Sequence, residues 1–138
     1  MRILSIDPGE RTGIIIFDSS TESIIKNETL SISRESMIEE SIPEGIFLEL
    51  GSVDVIVMED KPRYSTWDYS IEMLFLGIVK YSRKLNKTLE LIFPGIWKPI
   101  SKVMGWNIPK SLTSQHEIDA YKLLRYYMMI NKIGEPVK

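Results

Sequence analysis

Four side chains carrying metal-compatible oxygen or nitrogen donors, Asp7, Glu59, His116 and Asp119, stand where chain geometry can gather them. Asp7 closes a strand-like stretch, Arg2-Ile3-Leu4-Ser5-Ile6-Asp7. The turn Pro8-Gly9-Glu10-Arg11 follows, in which proline fixes φ and glycine permits positive φ. Glu59 closes the nearly continuous apolar run 53–59, the pattern of a strand buried on both faces and usually parallel to its neighbours. If the two strands are parallel neighbours, both acids sit at the carboxyl edge of a sheet, where α/β sites form. His116 and Asp119 are three residues apart and project from one helical face. Glu117, about 100° around the axis from His116, points elsewhere.

Burying several acids together is costly unless a cation neutralises them. Oxygen ligands favour magnesium and manganese, and manganese is the more tolerant of an imidazole. Two such ions about 4 Å apart activate a water, clamp a scissile phosphate and stabilise a leaving 3′-oxygen. Each residue taken singly has a plainer explanation. Asp7 suits a turn, Glu59 a solvated strand end, and His116 and Asp119 a polar helix face near a positive helix terminus. Their joint arrangement is what points to a metal site.

The elements that must position these groups follow from periodicity. Residues 2–7, 12–18 and about 23–32 read as three strands joined by short turns, an antiparallel meander. Residues 34–50 place Met37, Ile38, Ile42, Phe47 and Leu50 at loosely helical spacing, with Pro43 as a break. After the buried strand and a loop at 60–67, residues 68–86 form a helix, with Asp68 or Ser70 available as its cap. Its apolar positions are Ile71, Leu74, Phe75, Ile78, Val79 and Leu85. A short strand at 88–93 is halted by Pro94-Gly95. A short helix through 96–104 and a strong helix from Ser114 to Ile133 complete a single domain over 1–138. The order β-β-β-α-β-α-β-α-α implies an α/β fold: a five-stranded mixed sheet, meander plus parallel strands, with helices on both faces. The ribonuclease-H-like fold has this order.

The longest apolar runs, such as Ile14-Ile15-Ile16-Phe17, fall far short of the ~20 residues a membrane span needs. The N-terminus enters a strand directly, so no signal peptide and a cytoplasmic setting are expected. Cysteine is absent, which excludes disulfides and thiolate ligands. The net charge of −2 is unevenly divided. Residues 1–60 hold 4 Lys/Arg against 13 Asp/Glu, and residues 61–138 hold 13 against 6, giving −9 and +7. The second half is thus able to supply the local cationic surface that a polyanion requires, an asymmetry that proteins which never touch nucleic acid also show.

Three motifs resemble those of RuvC-type Holliday-junction resolvases. Ile3-Leu4-Ser5-Ile6-Asp7-Pro8-Gly9-Glu10-Arg11-Thr12-Gly13 is similar to the family's opening motif, a hydrophobic strand, Asp-Pro-Gly, then a glycine opening the next strand. Val55-Ile56-Val57-Met58-Glu59 resembles the second, a buried strand ending in glutamate. His116-Glu117-Ile118-Asp119-Ala120 resembles the last, in which an acid or histidine precedes the aspartate by three. The resemblance spans nearly the whole chain, and the compact length looks more like the viral members, which would place it in a host cytoplasm.

The resemblance implies that Asp7, Glu59, His116 and Asp119 form the metal-binding catalytic set for two Mg2+ ions, with Mn2+ able to substitute. It also implies a homodimer that nicks branched DNA in pairs across a four-way junction and leaves 5′-phosphate ends. The loop after Glu59 offers Lys61, Arg63, Tyr64 and Trp67: cations for phosphates, and rings that either stack on an unpaired base or pack under the next helix. Residues 80–110 carry seven cations against Glu90 alone. Lys98, Lys102 and Lys110 are the expected DNA contacts, while Lys80, Arg83, Lys84 and Lys87 read equally well as a solvated helix face. Met128, Met129, Tyr126 and Tyr127 read as core or dimer contact.

Two other readings share parts of the pattern. YqgF-type RNA-processing proteins share the opening Asp-x-Gly, but a later glycine- and proline-containing motif would be expected where Glu59 stands; a flap or RNA nuclease, or a catalytically silent DNA-binding relative, is the alternative. Actin-like ATPases need two such lobes to enclose a nucleotide and this chain holds one, so no nucleotide cofactor is expected.

Overall fold

The computed structural model of the chain describes residues 1–33, 44–60 and 69–133. Its central strand, β1 (Arg2–Asp7), pairs antiparallel with β2 (Arg11–Asp18), which pairs antiparallel with β3 (Ser23–Ser31). Helix α1 (Glu44–Ser52) leads into β4 (Val55–Glu59), parallel to β1 on its other side. Helix α2 (Tyr69–Lys84) then returns the chain to β5 (Thr88–Ile92), parallel to β4. The sheet order is β3-β2-β1-β4-β5. Helices α3 (Pro94–Met104) and α4 (Gln115–Ile130) follow. The expected meander and parallel strands are therefore present, in a five-stranded mixed sheet. Among the described residues, no helix is long and apolar enough to cross a membrane.

Strand alternation divides the core into two layers. Leu4, Ile6, Ile14, Ile16, Ile56 and Met58 pack with Ile46 and Leu50 of α1 and with Leu74, Phe75 and Ile78 of α2. Ile3, Ile15, Phe17, Val55 and Val57 face the other way, onto Trp97 of α3 and Ala120, Leu123, Leu124 and Tyr127 of α4. Because both faces are covered, β1, β2 and β4 need apolar side chains at nearly every position, and their sequences have them. Tyr126, Tyr127 and Met128 are buried core residues, which settles their reading.

Several boundaries differ from the expected ones. Pro94 begins α3 instead of only ending β5. It occupies the first turn, where a missing N–H costs nothing, after Phe93 in extended geometry. Gly105 ends that helix with φ 57°, its N–H donating to the Ser101 carbonyl. Helix α4 ends at Ile130 instead of Ile133, and the strand expected at 53–59 begins at Val55. The expected helix before Pro43, the Asp68 cap, and Lys61, Arg63, Tyr64 and Trp67 lie outside what the structure describes. Ser70 falls inside α2, after its start at Tyr69, and so is not the residue that caps it.

Candidate active site

Alternation along two strands brings the first two acids to one side. Ile3 and Ser5 of β1 face α4, and the buried Ser5 hydroxyl donates to the Ala120 carbonyl at 2.6 Å. Asp7, two residues on, continues that face. In β4 the same face runs Val55, Val57 and then Glu59. The parallel register opposes Ile6 to Met58, so Asp7 and Glu59 end adjacent strands one step further on. The Asp60 N–H donates to the Ile92 carbonyl at 2.9 Å, which holds the end of β4 against β5.

The first turn of α4 reaches this rim from above. Ser114 caps the helix, its hydroxyl accepting from the Glu117 N–H at 3.1 Å. That start puts the His116 ring at the sheet end, with Nδ1 3.4 Å from Asp7 Oδ2. Asp119, less than a turn later, accepts from Gln115 Nε2 at 2.9 Å through Oδ1.

The electrostatics are those of crowded acids. Burial pushes the Asp7 carboxyl up to about 7; the negative charge of Asp119 adds to the rise and Lys98 opposes it. Burial also raises Glu59 to about 7, with Lys98 again opposing, and Asp7 and Asp119 adding to the rise. Each acid makes the next harder to ionise, and among the described residues Lys98 of α3 offsets that repulsion at both Asp7 and Glu59. The buried Trp97 indole N–H falls short of a formal hydrogen bond, but lies near enough to Glu59 to favour its ionised form.

Lys98 belongs to a cleft of about 260 Å³ lined by Trp97, Lys98, Ser101, Lys102, Asp119 and Lys122. The cleft thus joins one of the acids to three lysines. Lys110 is exposed in the connection between α3 and α4, beside Ser111 on the β3 side of the rim. Lys80, Arg83 and Lys84 are on α2, which covers the sheet face opposite α3 and α4. This favours the solvated-face reading for them.

Glu117 turns away from the acids, as its helical phase requires. Burial alone would raise its carboxyl. Hydrogen bonds from Thr29, Asn27 and Thr113 overcome that and bring its pKa down to about 2. A β-carbon on Gly13 would overlap the His116 carbonyl, so the glycine opening β2 is what lets α4 approach.

The structure therefore gathers all four expected residues at one rim. Asp7 and His116 are in contact, and Asp7, Glu59 and Asp119 feel one another's charge. Among the described residues, no three His, Cys, Asp or Glu side chains stand close enough to form a metal-ligand group. The donor set itself fits a hard divalent ion: three carboxylates and one imidazole, with two of the carboxyls raised by burial and mutual repulsion. Trp97 and Lys122 were not anticipated from the sequence. Lys122 is three residues from Asp119 and shares its helical face, a spacing that could have revealed it.

No protein-family profile matches the sequence, and no curated protein matches it. Solved structures do match in fold. RuvC from Thermus thermophilus is similar over 99% of this chain and 100% of its own, at 12% identity and a TM-score of 0.63. The same protein in complex with a Holliday junction substrate gives 0.64 at 12% identity, with 99% of each chain covered. The fowlpox virus Holliday junction resolvase gives 0.59 at 17% identity, covering 94% of this chain and 99% of its own. The chain has the ribonuclease-H-like fold found in RuvC-type resolvases.

Proposed function

We propose that this chain is a divalent-metal-dependent endonuclease that resolves four-way DNA junctions by paired nicks, acting as a homodimer. The observation that carries the reading is that Asp7 and Glu59, ending adjacent parallel strands, share one sheet rim with His116 and Asp119 of α4, beside a lysine-lined cleft. The fold shared with RuvC and the fowlpox resolvase supports it.

Asp7, Glu59, His116 and Asp119 would hold the metal. When bound there, two magnesium or manganese ions would supply an activated water, neutralisation of the scissile phosphate and stabilisation of the leaving 3′-oxygen. The protein's own residues do the rest. Asp7 and Glu59, both raised to about 7, would have to give up their protons to hold a cation, which would couple metal binding to deprotonation. Lys98 limits the repulsion between the acids and, with Lys102 and Lys122, offers ammonium groups to backbone phosphates flanking the cut. Lys110 extends that cationic surface toward β3. One such site nicks one strand, so paired nicks require two copies of the chain.

The test is cleavage of end-labelled four-way junctions against linear duplex, flaps and single strands, with and without magnesium or manganese. Metal-dependent, symmetrical nicks confined to the junction are expected. Equal cutting of flaps or RNA would replace the junction specificity, and metal-independent or absent cutting would defeat the nuclease reading.

A further inference from the structure

Among the described residues Glu117 is the only Asp, Glu, Lys or Arg buried in the fold, at 1% exposure, and the proposed chemistry gives it no task. Its carboxylate is fully engaged. Oε1 accepts from Asn27 Nδ2 at 2.6 Å and from the Thr113 N–H at 3.4 Å. Oε2 accepts from the hydroxyls of Thr29 at 2.6 Å, Thr113 at 2.7 Å and Ser114 at 3.2 Å. Asn27 Nδ2 also donates to the Ser111 carbonyl at 3.1 Å, which ties the approach to α4 to the same strand.

These donors come from two separate parts of the chain, β3 and the connection before α4, and meet on one side chain in the helix's first turn. Beneath them the sheet is cleared. Thr29 is the cross-strand partner of Gly13, and the absent side chain at Gly13 admits the backbone of His116 and Glu117. A buried ionised group is seldom the most stabilising occupant of its position, because desolvation opposes the interactions it gains. What this one fixes is rotation. Glu117 lies in sequence between His116 and Asp119. Pinning it over β3 sets the angle of α4 about its own axis and thereby aims its two neighbours at Asp7 and Glu59.

We propose that Glu117 is a positioning residue, with Asn27 and Thr29 as its anchors, that sets the angle at which α4 presents His116 and Asp119 to the metal. The proposal rests on the reading of those two residues as metal ligands. It differs from a purely structural role in what it predicts for metal binding by a chain that remains folded.

His116 is the only histidine in the sequence, so its ring-proton NMR signals report on this rim without ambiguity. The experiment titrates Mn2+ into the full-length wild-type chain and into E117Q and N27A, following paramagnetic broadening of those signals. Circular dichroism confirms folding at the temperature used. Junction binding without metal and nicking at saturating junction are measured in parallel. E117Q is expected to need about 10–100-fold more Mn2+ for the same broadening, as when the outer partners of metal ligands are removed. Its nicking rate should fall comparably while metal-free junction affinity stays within about twofold. N27A removes a single donor and should shift in the same direction by less; it carries the test alone if E117Q does not fold. Folded variants that titrate like wild type while wild type responds would overturn the positioning role only. A wild-type histidine indifferent to Mn2+ would overturn the site reading, and this proposal with it.

Discussion

The backbone of His116 lies directly on Gly13: a β-carbon built on that glycine would overlap the His116 carbonyl and stand 2.7 Å from the Glu117 nitrogen. The motif glycine that opens β2 is therefore a contact surface for the helix that carries half of the candidate site. A methyl group there must push α4 away from the sheet, and backbone on both sides leaves little room to give. Gly13→Ala should lower stability by about 1–3 kcal/mol, read from the urea midpoint. It should also reduce nicking at temperatures where the variant is still folded. Unchanged nicking would show that α4 need not sit so close.

Asp7→Asn removes a proposed metal ligand without changing its size. Nicking should fall by on the order of 10³-fold, the equivalent of several kcal/mol of transition-state stabilisation. The same change removes a source of repulsion, because Asp7 raises the pKa of Glu59. The metal-free variant should therefore melt at or above the wild-type temperature near neutral pH. A large loss of stability would mean that Asp7 is there to hold the fold.

Stability should depend on pH in a direction set by these shifts. Folding raises the Asp7 and Glu59 carboxyls to about 7, so the folded chain holds their protons more tightly than the unfolded chain. Their effect is most favourable below the ordinary carboxylate range and is lost as pH rises toward 7. With partial exposure and Lys98 discounted, the loss is on the order of 1–3 kcal/mol. Glu117 acts oppositely: with its pKa at about 2, its stabilisation is complete above the ordinary range and disappears as pH falls toward 2. Thermal melts in chelator should thus decline between pH ~5 and ~8, and divalent metal should restore the loss at the upper end. A metal-free chain whose melting temperature climbs through that interval would contradict the electrostatic description.

The lysines of the cleft divide by position. Lys122→Ala should weaken junction binding and reduce the salt dependence of log K by about one phosphate contact, with little effect on the pH profile. Lys98→Ala should do this and also shift the rise of metal affinity to higher pH, since Lys98 opposes the raised pKa of both Asp7 and Glu59. Filter binding across a salt series and metal titration across a pH series separate the two. Identical behaviour of the variants would deny Lys98 its special place.

Most of the frame was legible because it rests on local periodicity. The runs at 2–7 and 12–18 read as strands from alternation and β-branched content, the nearly continuous apolar run at 53–59 as a strand buried on both faces, and the turn residues between the first two pointed to their antiparallel pairing. Asp7 and Glu59 stood out because each breaks such a run at its end. His116 and Asp119 followed from helical spacing, and so could Lys122 have done. Other features depended on contacts distant in sequence. Glu117 meets Asn27 and Thr29 across 90 and 88 residues. Trp97 looks like ordinary core until its indole is seen beside Glu59. Pro94 reads as a strand stop, and its second role as a helix start depends on the backbone of Phe93.

The central claim is that Asp7, Glu59, His116 and Asp119 converge on divalent cations. Crystals grown with manganese, measured at its absorption edge, test it directly. Anomalous peaks between Asp7 and Glu59, with His116 and Asp119 completing the coordination at about 2.0–2.6 Å, are expected. Manganese bound elsewhere, or those four side chains turned apart with no peak among them, would contradict the account.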